Sequence, residues 1–346
     1  MIPHSRALLN QDDFKGVESV LKSGLLVQGE QVARFEELLS STVGTGSAAA
    51  VNSGTAALHL SLTALGVGKG DEVIIPSFVC SALLNAVRYV GAEAVLADID
   101  LPTFNIDAED IEKRITSRTK AVIVPHMFGL PADMDAILSL GIPVIEDCAQ
   151  SIGSRYKRIC TGAFGVVSIF SFYATKMLTT GEGGMVLSDN PSITGIIKDL
   201  RNYDEKEDYV VRYNYKMTDF QAALGISQLK KLPLFIEKRK RIASLYDDAL
   251  EGCDIGTPAV PEDRDHVYYR YVISRPPPDF MENMKKAGID CKRPVFRPLH
   301  RYFGLAGYPN TEEAWNRAVS IPIYPALRDQ EAHRIADTLR RLCRLK

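Results

Sequence analysis

Hydrophobic positions follow two different spacings along the first 190 residues of the chain. Apolar residues recur at helical intervals in residues 11–22 and 30–41, whereas residues 72–76 and 121–125 are almost continuously apolar. Short continuous apolar runs are typical of strands that are buried on both faces. Strands are predicted at residues 48–51, 72–76, 94–98, 121–125, 143–145 and 166–170. Because these strands alternate with helices, the pattern predicts an α/β fold with a mainly parallel sheet covered by helices.

The second half of the chain shows a different order of predicted strands and helices. A strand at 185–188 follows the strand at 166–170 so closely that the two are predicted to be antiparallel. Asp219 opens a helix that stops at Pro233, and a long charged helix continues to Leu250.

Prolines become frequent beyond residue 254, where strands are predicted at 267–274 and 293–296 and a last helix at 331–341. We therefore predict a large α/β domain with an N-terminal arm over residues 1–235. A smaller α+β C-terminal domain is predicted over residues 236–346.

The composition is that of a globular protein without an unusual partner. The 346 residues are 46% hydrophobic and 24% charged, with a formal net charge of -2. This charge does not attract nucleic acid or an anionic membrane, and no apolar run approaches the length of a membrane span. The six cysteines are scattered without metal-ligand spacing, which favours reduced thiols over a disulfide scaffold or a zinc site. We expect a cytoplasmic protein with no metal.

The candidate chemistry begins with Lys176. It lies between Phe170-Ser171-Phe172-Tyr173 and Met177-Leu178, with no charged residue nearby in the sequence. A desolvated lysine has a depressed pKa and becomes a nucleophile that can form a Schiff base. The alternative is a lysine at the edge of a turn that extends its amine into water.

Two further positions suit the same chemistry. The helix that begins near Gly54-Thr55 is apolar on all sides and therefore buried, so its first amide groups can hold an anion. A simple Ser/Thr helix cap is the alternative there. Asp147 follows an apolar strand and either caps the next helix or pairs with a ring nitrogen. An amine, an anion cradle and an isolated carboxylate together suit pyridoxal phosphate, which has an aldehyde, a phosphate and a pyridine nitrogen.

Over nearly its whole length the chain resembles the DegT/DnrJ/EryC1/StrS family of pyridoxal-phosphate-dependent sugar aminotransferases. The resemblance implies the fold-type-I architecture of these transferases. The motifs that carry it are Gly29-Glu30-Gln31-Val32, Ser53-Gly54-Thr55-Ala56-Ala57-Leu58, Gly70-Asp71-Glu72-Val73-Ile74, Glu146-Asp147-Cys148-Ala149-Gln150, Ser171-Phe172 before Lys176, Gly181-Glu182-Gly183-Gly184 and Asn214-Tyr215-Lys216-Met217.

The resemblance implies a role for each matching polar residue. Lys176 would bond to the cofactor and later move the proton between substrate and cofactor carbons. Asp147 would pair with the pyridine nitrogen, and Gln150 would hydrogen-bond the phenolic oxygen.

The resemblance also implies how the phosphate is held. Gly54, Thr55 and Ser171 would bind it from one subunit. Asn214 would reach it from the neighbouring subunit, which implies a homodimer with shared active sites.

One departure from the family pattern concerns the exposed face of the pyridine ring. Many relatives place an aromatic residue where this chain has Cys80, and a thiol covers a ring less well. Phe78 lies two positions earlier and, in an extended segment, would point to the same side as Cys80. His126 is expected to be structural, although it ends a strand, and His300 resembles a position near the substrate entrance.

The predicted function is transfer of an amino group from glutamate or glutamine to a keto-sugar, which we expect to be nucleotide-activated, by a ping-pong mechanism. Amination of a cyclitol ketone and a catalytically silent regulatory protein are the alternatives. Sugar dehydratases of the family carry histidine at the lysine position, so Lys176 disfavours that activity. The sequence does not identify the sugar, the carbon position or the nucleotide.

Overall fold

The structure of the protein is a computed structural model that describes residues 1–343. Within that range the helices are α1 (Gln11–Ser23), α2 (Glu30–Val43), α3 (Gly54–Ala64), α4 (Ala82–Tyr89), α5 (Ala108–Arg114), α6 (Met134–Leu138), α7 (Pro191–Leu200), α8 (Asp219–Lys230), α9 (Leu232–Leu250), α10 (Phe280–Lys286), α11 (Pro309–Arg317) and α12 (Asp329–Cys343). The strands are β1 (Ser47–Val51), β2 (Glu72–Pro76), β3 (Glu93–Ala97), β4 (Thr119–Pro125), β5 (Val144–Asp147), β6 (Arg155–Tyr156), β7 (Ile159–Cys160), β8 (Val167–Ser171), β9 (Gly184–Ser188), β10 (Arg264–Asp265), β11 (Tyr271–Ile273) and β12 (Val319–Ile321).

The central sheet has seven strands in the order β1-β9-β8-β5-β4-β2-β3. The pairs from β8 through β5, β4 and β2 to β3 are parallel, and β9 is antiparallel to both β8 and β1. The α/β fold, the mainly parallel sheet and the antiparallel strand at 185–188 are therefore confirmed. The apolar runs are buried because helices cover the sheet, so neither face meets water.

The strand predicted at 293–296 is wrong. Residues 293–296 are irregular, and β11 pairs instead with β12, which the sequence did not indicate. Only Lys292 joins this sheet, through an isolated bridge to Ser320. Pro294 explains the difference, because proline has no backbone N–H to donate to a neighbouring strand.

A separate apolar core lies beneath α9, α10 and α12 and the β11–β12 pair. Ile2 of the N-terminal arm belongs to it and pairs with Ile289, so the arm packs on the C-terminal part of the chain. We keep the division into domains 1–235 and 236–346 as a proposal, with its boundary inside α9.

The expectation of reduced thiols is wrong for one pair of cysteines. Cys253 and Cys343 form a disulfide, with their Cα atoms 5.7 Å apart. The sequence offered no sign of it because the partners are 90 residues apart and meet only where α12 packs on α9. The remaining cysteines are free thiols. No helix within residues 1–343 combines the length and the apolar character needed to cross a bilayer.

Candidate active site

The site lies at the carboxyl-terminal edge of the central sheet. β5 ends at Asp147, β8 ends at Ser171, and β1 runs in the same direction and leads into α3 at Gly54. Parallel strands bring their carboxyl ends to one edge, where open α/β sheets bind ligands. The fold therefore brings three of the predicted residues together.

The start of α3 forms an anion cradle against Ser171. A Cβ atom on Gly54 would lie 2.8 Å from the Cβ of Ser171 and 3.1 Å from its Oγ, so only glycine fits without displacement. The Oγ of Ser53 accepts a hydrogen bond from the Ala56 N–H, which confirms a helix cap. The N–H groups of Gly54 and Thr55 have no partner among the described hydrogen bonds. These two amides and the hydroxyls of Thr55 and Ser171 can therefore hold a phosphate.

Asp147 is a buried carboxylate at the end of β5, with 7% of its surface exposed. Its Oδ1 accepts a hydrogen bond of 2.9 Å from the Ala149 N–H. Burial raises the pKa of Asp147, and this effect outweighs the opposing influence of the Ala149 N–H and of Lys176. A cation placed at the carboxylate would offset its desolvation, which suits a protonated ring nitrogen.

His126 is structural, as expected. The side chain is fully buried, and its Nδ1 accepts a hydrogen bond from the Ala132 N–H. Nε2 therefore carries the proton and donates to Glu146 at 3.0 Å. Glu146 also accepts hydrogen bonds from backbone N–H groups after β7, including that of Gly162. These hydrogen bonds tie His126 and Glu146 into a network that fixes β5, with Cys148 nearby.

Gln150 is oriented by the backbone. Its Oε1 accepts a hydrogen bond of 3.0 Å from the N–H of Phe128, whose φ is +59°. Because the amide oxygen is engaged, the NH₂ group remains as a donor, as contact with a phenolic oxygen requires.

Lys176 lies in the irregular segment after β8, where its N–H donates to the Tyr173 carbonyl. The side chain is half-buried in the single chain, so its apolar neighbours do not desolvate it fully. Its Nζ lies 5.4 Å from the ring centroid of Tyr269. Burial raises the pKa of Tyr269, but the charges of Lys176 and Arg270 outweigh this effect and lower it to about 8.

Sequence reasoning missed Tyr269. It lies almost a hundred residues after Lys176, in a segment that was predicted only as a strand. Its hydroxyl is 3.4 Å from the Oγ1 of Thr175. The sequence contains no local pattern that distinguishes Tyr269 from the adjacent Tyr268.

The glycines after Lys176 allow the backbone to return close to the cradle, as expected. A Cβ atom on Gly184 would clash with the Ser53 carbonyl oxygen, and Gly181 has a φ of +83°. This return places β9 beside both β1 and β8.

The expectation that Phe78 and Cys80 point to the same side is wrong. Phe78 is fully buried and stacks on Phe104 at 5.9 Å, whereas Cys80 is exposed. Phe78 therefore does not compensate for the missing aromatic residue. Aromatic packing beneath the sheet edge decides the direction of the Phe78 side chain. The alternation of side chains along an extended segment does not reveal this packing.

His300 and Asn214 lie in different environments. His300 is buried, with Nδ1 2.7 Å from the Ser77 Oγ and Nε2 2.6 Å from Glu312. Both nitrogens are thus occupied within the chain. Asn214 is exposed, and only its backbone carbonyl is bonded, to the Asn52 side chain.

The residues present fit pyridoxal phosphate. The glycine-lined cradle suits the phosphate, the buried Asp147 suits a protonated ring nitrogen, and the free donor of Gln150 suits the phenolic oxygen. The amine of Lys176 is near enough for its charge to affect the pKa of Asp147.

Replacing Gly54 by alanine is expected to weaken pyridoxal phosphate binding roughly tenfold or more, because the added methyl group displaces Ser171 and costs a charge-assisted hydrogen bond. Absorbance titration of the cofactor-free protein measures the affinity. Gly195→Ala in α7 is the matched control: its Cβ meets nothing within 4 Å, so binding should not change. Unchanged affinity in Gly54→Ala would contradict the cradle.

Comparison with known proteins identifies a family that matches this arrangement. The family model described as the DegT/DnrJ/EryC1/StrS aminotransferase family matches residues 8–340, which include all the candidate site residues. Spore coat polysaccharide biosynthesis protein SpsC of Bacillus subtilis (strain 168) is 35% identical over 98% of this chain and 96% of its own. GDP-perosamine synthase of Escherichia coli O157:H7 is 33% identical over 90% of each chain. The PLP form of Spr1654 from Streptococcus pneumoniae has a TM-score of 0.92 at 27% identity, covering 99% of this chain and 98% of that one.

Proposed function

The chain belongs to the DegT/DnrJ/EryC1/StrS aminotransferase family, and from this premise we propose that it transfers an amino group from glutamate or glutamine to a nucleotide-linked keto-sugar. As a member it is a pyridoxal-phosphate-dependent aminotransferase acting in amino-sugar chemistry. The observation that carries the proposal is the convergence of Lys176, Asp147 and the Gly54–Thr55–Ser171 cradle at one sheet edge.

When bound, pyridoxal phosphate supplies the electron sink that stabilises a carbanion at the substrate carbon. Asp147 holds a proton on the ring nitrogen. The Nζ of Lys176 removes a proton at the donor's α-carbon and returns one at the sugar carbon. Gly54, Thr55 and Ser171 fix the phosphate end, so that these proton movements occur at a constant position.

We propose a ping-pong order because one lysine and one cofactor site must serve both substrates in turn. The donor's keto product leaves before the keto-sugar binds the same site. Acceptance of a nucleotide-linked sugar is supported by the name of the E. coli relative, and a role in polysaccharide synthesis by that of SpsC.

Release of 2-oxoglutarate tests this function. Holoenzyme mixed with glutamate and no acceptor should release up to one equivalent of 2-oxoglutarate per site, and added keto-sugar nucleotides should restart the release. A panel of such nucleotides identifies the acceptor. Absence of 2-oxoglutarate release with glutamate and of 2-oxoglutaramate release with glutamine would favour a silent cofactor-binding protein.

We also propose a homodimer with shared active sites. Cys80 and Asn214 are exposed in the single chain and Lys176 is only half-buried, so this side of the site is open. The segment before Asn214 exposes Tyr209 by 95% and Val211 by 61%, which is apolar surface suited to a second copy. Cys80 and Asn214 remain proposed cofactor contacts, the second from the partner.

Mixing two inactive variants tests the shared site. Lys176→Ala and Asn214→Ala subunits that re-associate at random should recover about a quarter of wild-type activity, because half of the dimers contain one intact site of two. Mixing Lys176→Ala with Asp147→Asn is the control and should recover none, since both residues serve the same subunit's site. Equal recovered activity in the two mixtures would contradict active sites that are shared between subunits.

We propose a cytoplasmic location from composition alone. The Cys253–Cys343 disulfide does not favour it, because structural disulfides are rare in the cytosol.

A further inference from the structure

A small pocket beside Lys176 has three basic side chains in its lining, those of Arg239, Arg270 and Lys292. It has a volume of about 90 Å³, whereas about 10–15 Å³ is enough for one water molecule. Its lining includes His4, Thr175, Arg239, Tyr269, Arg270 and Lys292. No aspartate or glutamate belongs to this lining within the part of the chain that the structure describes.

Within residues 1–343, the arginines of the pocket have no acidic partner. Arg239 is 3% exposed, and its Nη1 donates to backbone carbonyls that include those of Tyr269 and Ile323. Its Nε is buried without a hydrogen-bond partner among residues 1–343, and so is the Nη1 of Arg270. Burial lowers the pKa of Arg239 to about 10. A buried guanidinium group without an anion is costly, so the burial of Arg239 favours an anion in this pocket.

Lys292 adds a third charge that is only weakly neutralised. The nearest carboxylate to its Nζ is that of Asp290, at 3.9 Å, and both side chains are exposed to solvent. An anion in the pocket would therefore meet Lys292 without first displacing a tight ion pair.

His4 contributes a neutral group to the pocket. Its Nε2 lies 2.9 Å from the Oγ of Ser320, and Ile2 anchors the arm to Ile289. Burial, together with the nearby charges of Arg270 and Lys292, lowers the pKa of His4 to about 3. The arm therefore covers the basic groups with a neutral imidazole.

The pocket adjoins the reacting lysine. The Nζ of Lys176 and the Cζ of Arg270 lie 5.4 and 5.5 Å from the ring centroid of Tyr269, respectively. Thr175, the residue before Lys176, lines the pocket. Lys176 and Arg270 therefore contact the same aromatic ring, with their charged groups no more than about 11 Å apart.

We propose that this pocket binds a carboxylate of the amino donor, with Arg270 and Lys292 as direct ligands and Arg239 as a fixed positive charge. The assignment rests on the proposed aminotransferase function and specifies its donor subsite. The small volume suits a carboxylate rather than the diphosphate of a nucleotide sugar. Bidentate geometry makes arginine the preferred partner of a carboxylate.

Binding of 2-oxoglutarate, measured by calorimetry on holoenzyme and on cofactor-free protein, tests the site without turnover. Arg270→Leu should weaken the binding of 2-oxoglutarate about tenfold or more, and Arg270→Lys should weaken this binding less. Binding of a nucleoside diphosphate should not change. Arg241→Leu is the matched control, because Arg241 lies on α9 and pairs with Asp329 at the surface.

Two results would overturn the assignment. One is wild-type affinity of Arg270→Leu for 2-oxoglutarate, provided that its thermal unfolding is unchanged. The other is loss of nucleoside diphosphate binding in place of 2-oxoglutarate binding, which would assign the pocket to the sugar nucleotide. If the enzyme does not turn over with glutamate, the binding measurement still shows whether the pocket binds a carboxylate. Failure of the proposed function can therefore be told apart from failure of the proposed carboxylate site.

Discussion

Turnover is expected to fall at least about 10³-fold when Lys176 is replaced by alanine, because the variant loses both the nucleophile and the proton carrier. The variant should also lose the visible absorbance band that the lysine–cofactor bond produces. A spectrum of the protein with pyridoxal phosphate and an amino-transfer assay measure both effects. The lining of the neighbouring pocket contains further basic residues, namely Arg239, Arg270 and Lys292.

Lys286→Ala is the matched control for this change. Lys286 is exposed on α10 and forms an ion pair of 2.7 Å with Glu282, so its loss should leave turnover and spectrum unchanged. A yellow, active Lys176→Ala protein would contradict the assigned role.

Replacement of Asp147 by asparagine is also expected to have a large effect. It should lower kcat roughly 10²–10³-fold. An amide has nearly the same shape but cannot hold the ring nitrogen protonated by its charge. Steady-state kinetics at saturating donor and acceptor, with cofactor occupancy measured in parallel, isolates this effect.

The stability of the Asp147→Asn variant should not fall. Burial raises the pKa of Asp147 above its unfolded value, so the ionised carboxylate destabilises the folded state. This cost increases as pH rises from the unfolded-state pKa through the folded-state pKa. Cofactor-free Asp147→Asn protein should therefore unfold at an equal or higher temperature than wild type at neutral pH.

Asp265→Asn provides the comparison, because Asp265 is exposed and lies 3.7 Å from Lys240. It should change neither kcat nor the stability at neutral pH appreciably. A wild-type kcat in Asp147→Asn, or a clear loss of stability without loss of kcat, would show that Asp147 is a structural cap only.

Much of the site could be predicted from the sequence because its parts are local. Asp147 and Ser171 follow apolar strands, and Gly54 begins an apolar helix, so hydrophobic runs alone place them at element ends. The parallel sheet then brings those ends together. Lys176 was recognisable from its uncharged surroundings and its position after β8.

The exposure of individual side chains was less predictable. Phe78 and Cys80 share one face of an ideal strand, yet Phe78 packs on Phe104 in the core and Cys80 remains exposed. The segment around Lys176 is only half-buried in the single chain. Burial depends on which distant elements cover a residue, and hydrophobic neighbours in the sequence do not specify this.

The sequence by itself determined the order of strands and helices and the sheet edge at which Gly54, Asp147 and Ser171 meet. It also determined the residues that we propose for the cofactor at this edge. Only the tertiary structure decided that Tyr269 lies against Lys176 and that Cys253 meets Cys343. It also decided that, within residues 1–343, the Nε of Arg239 and the Nη1 of Arg270 have no hydrogen-bond partner. These contacts join α9, the segment before β11 and the C-terminal helix to residues far away in the chain. No local periodicity encodes them, because they depend on how the C-terminal part of the chain packs against the sheet.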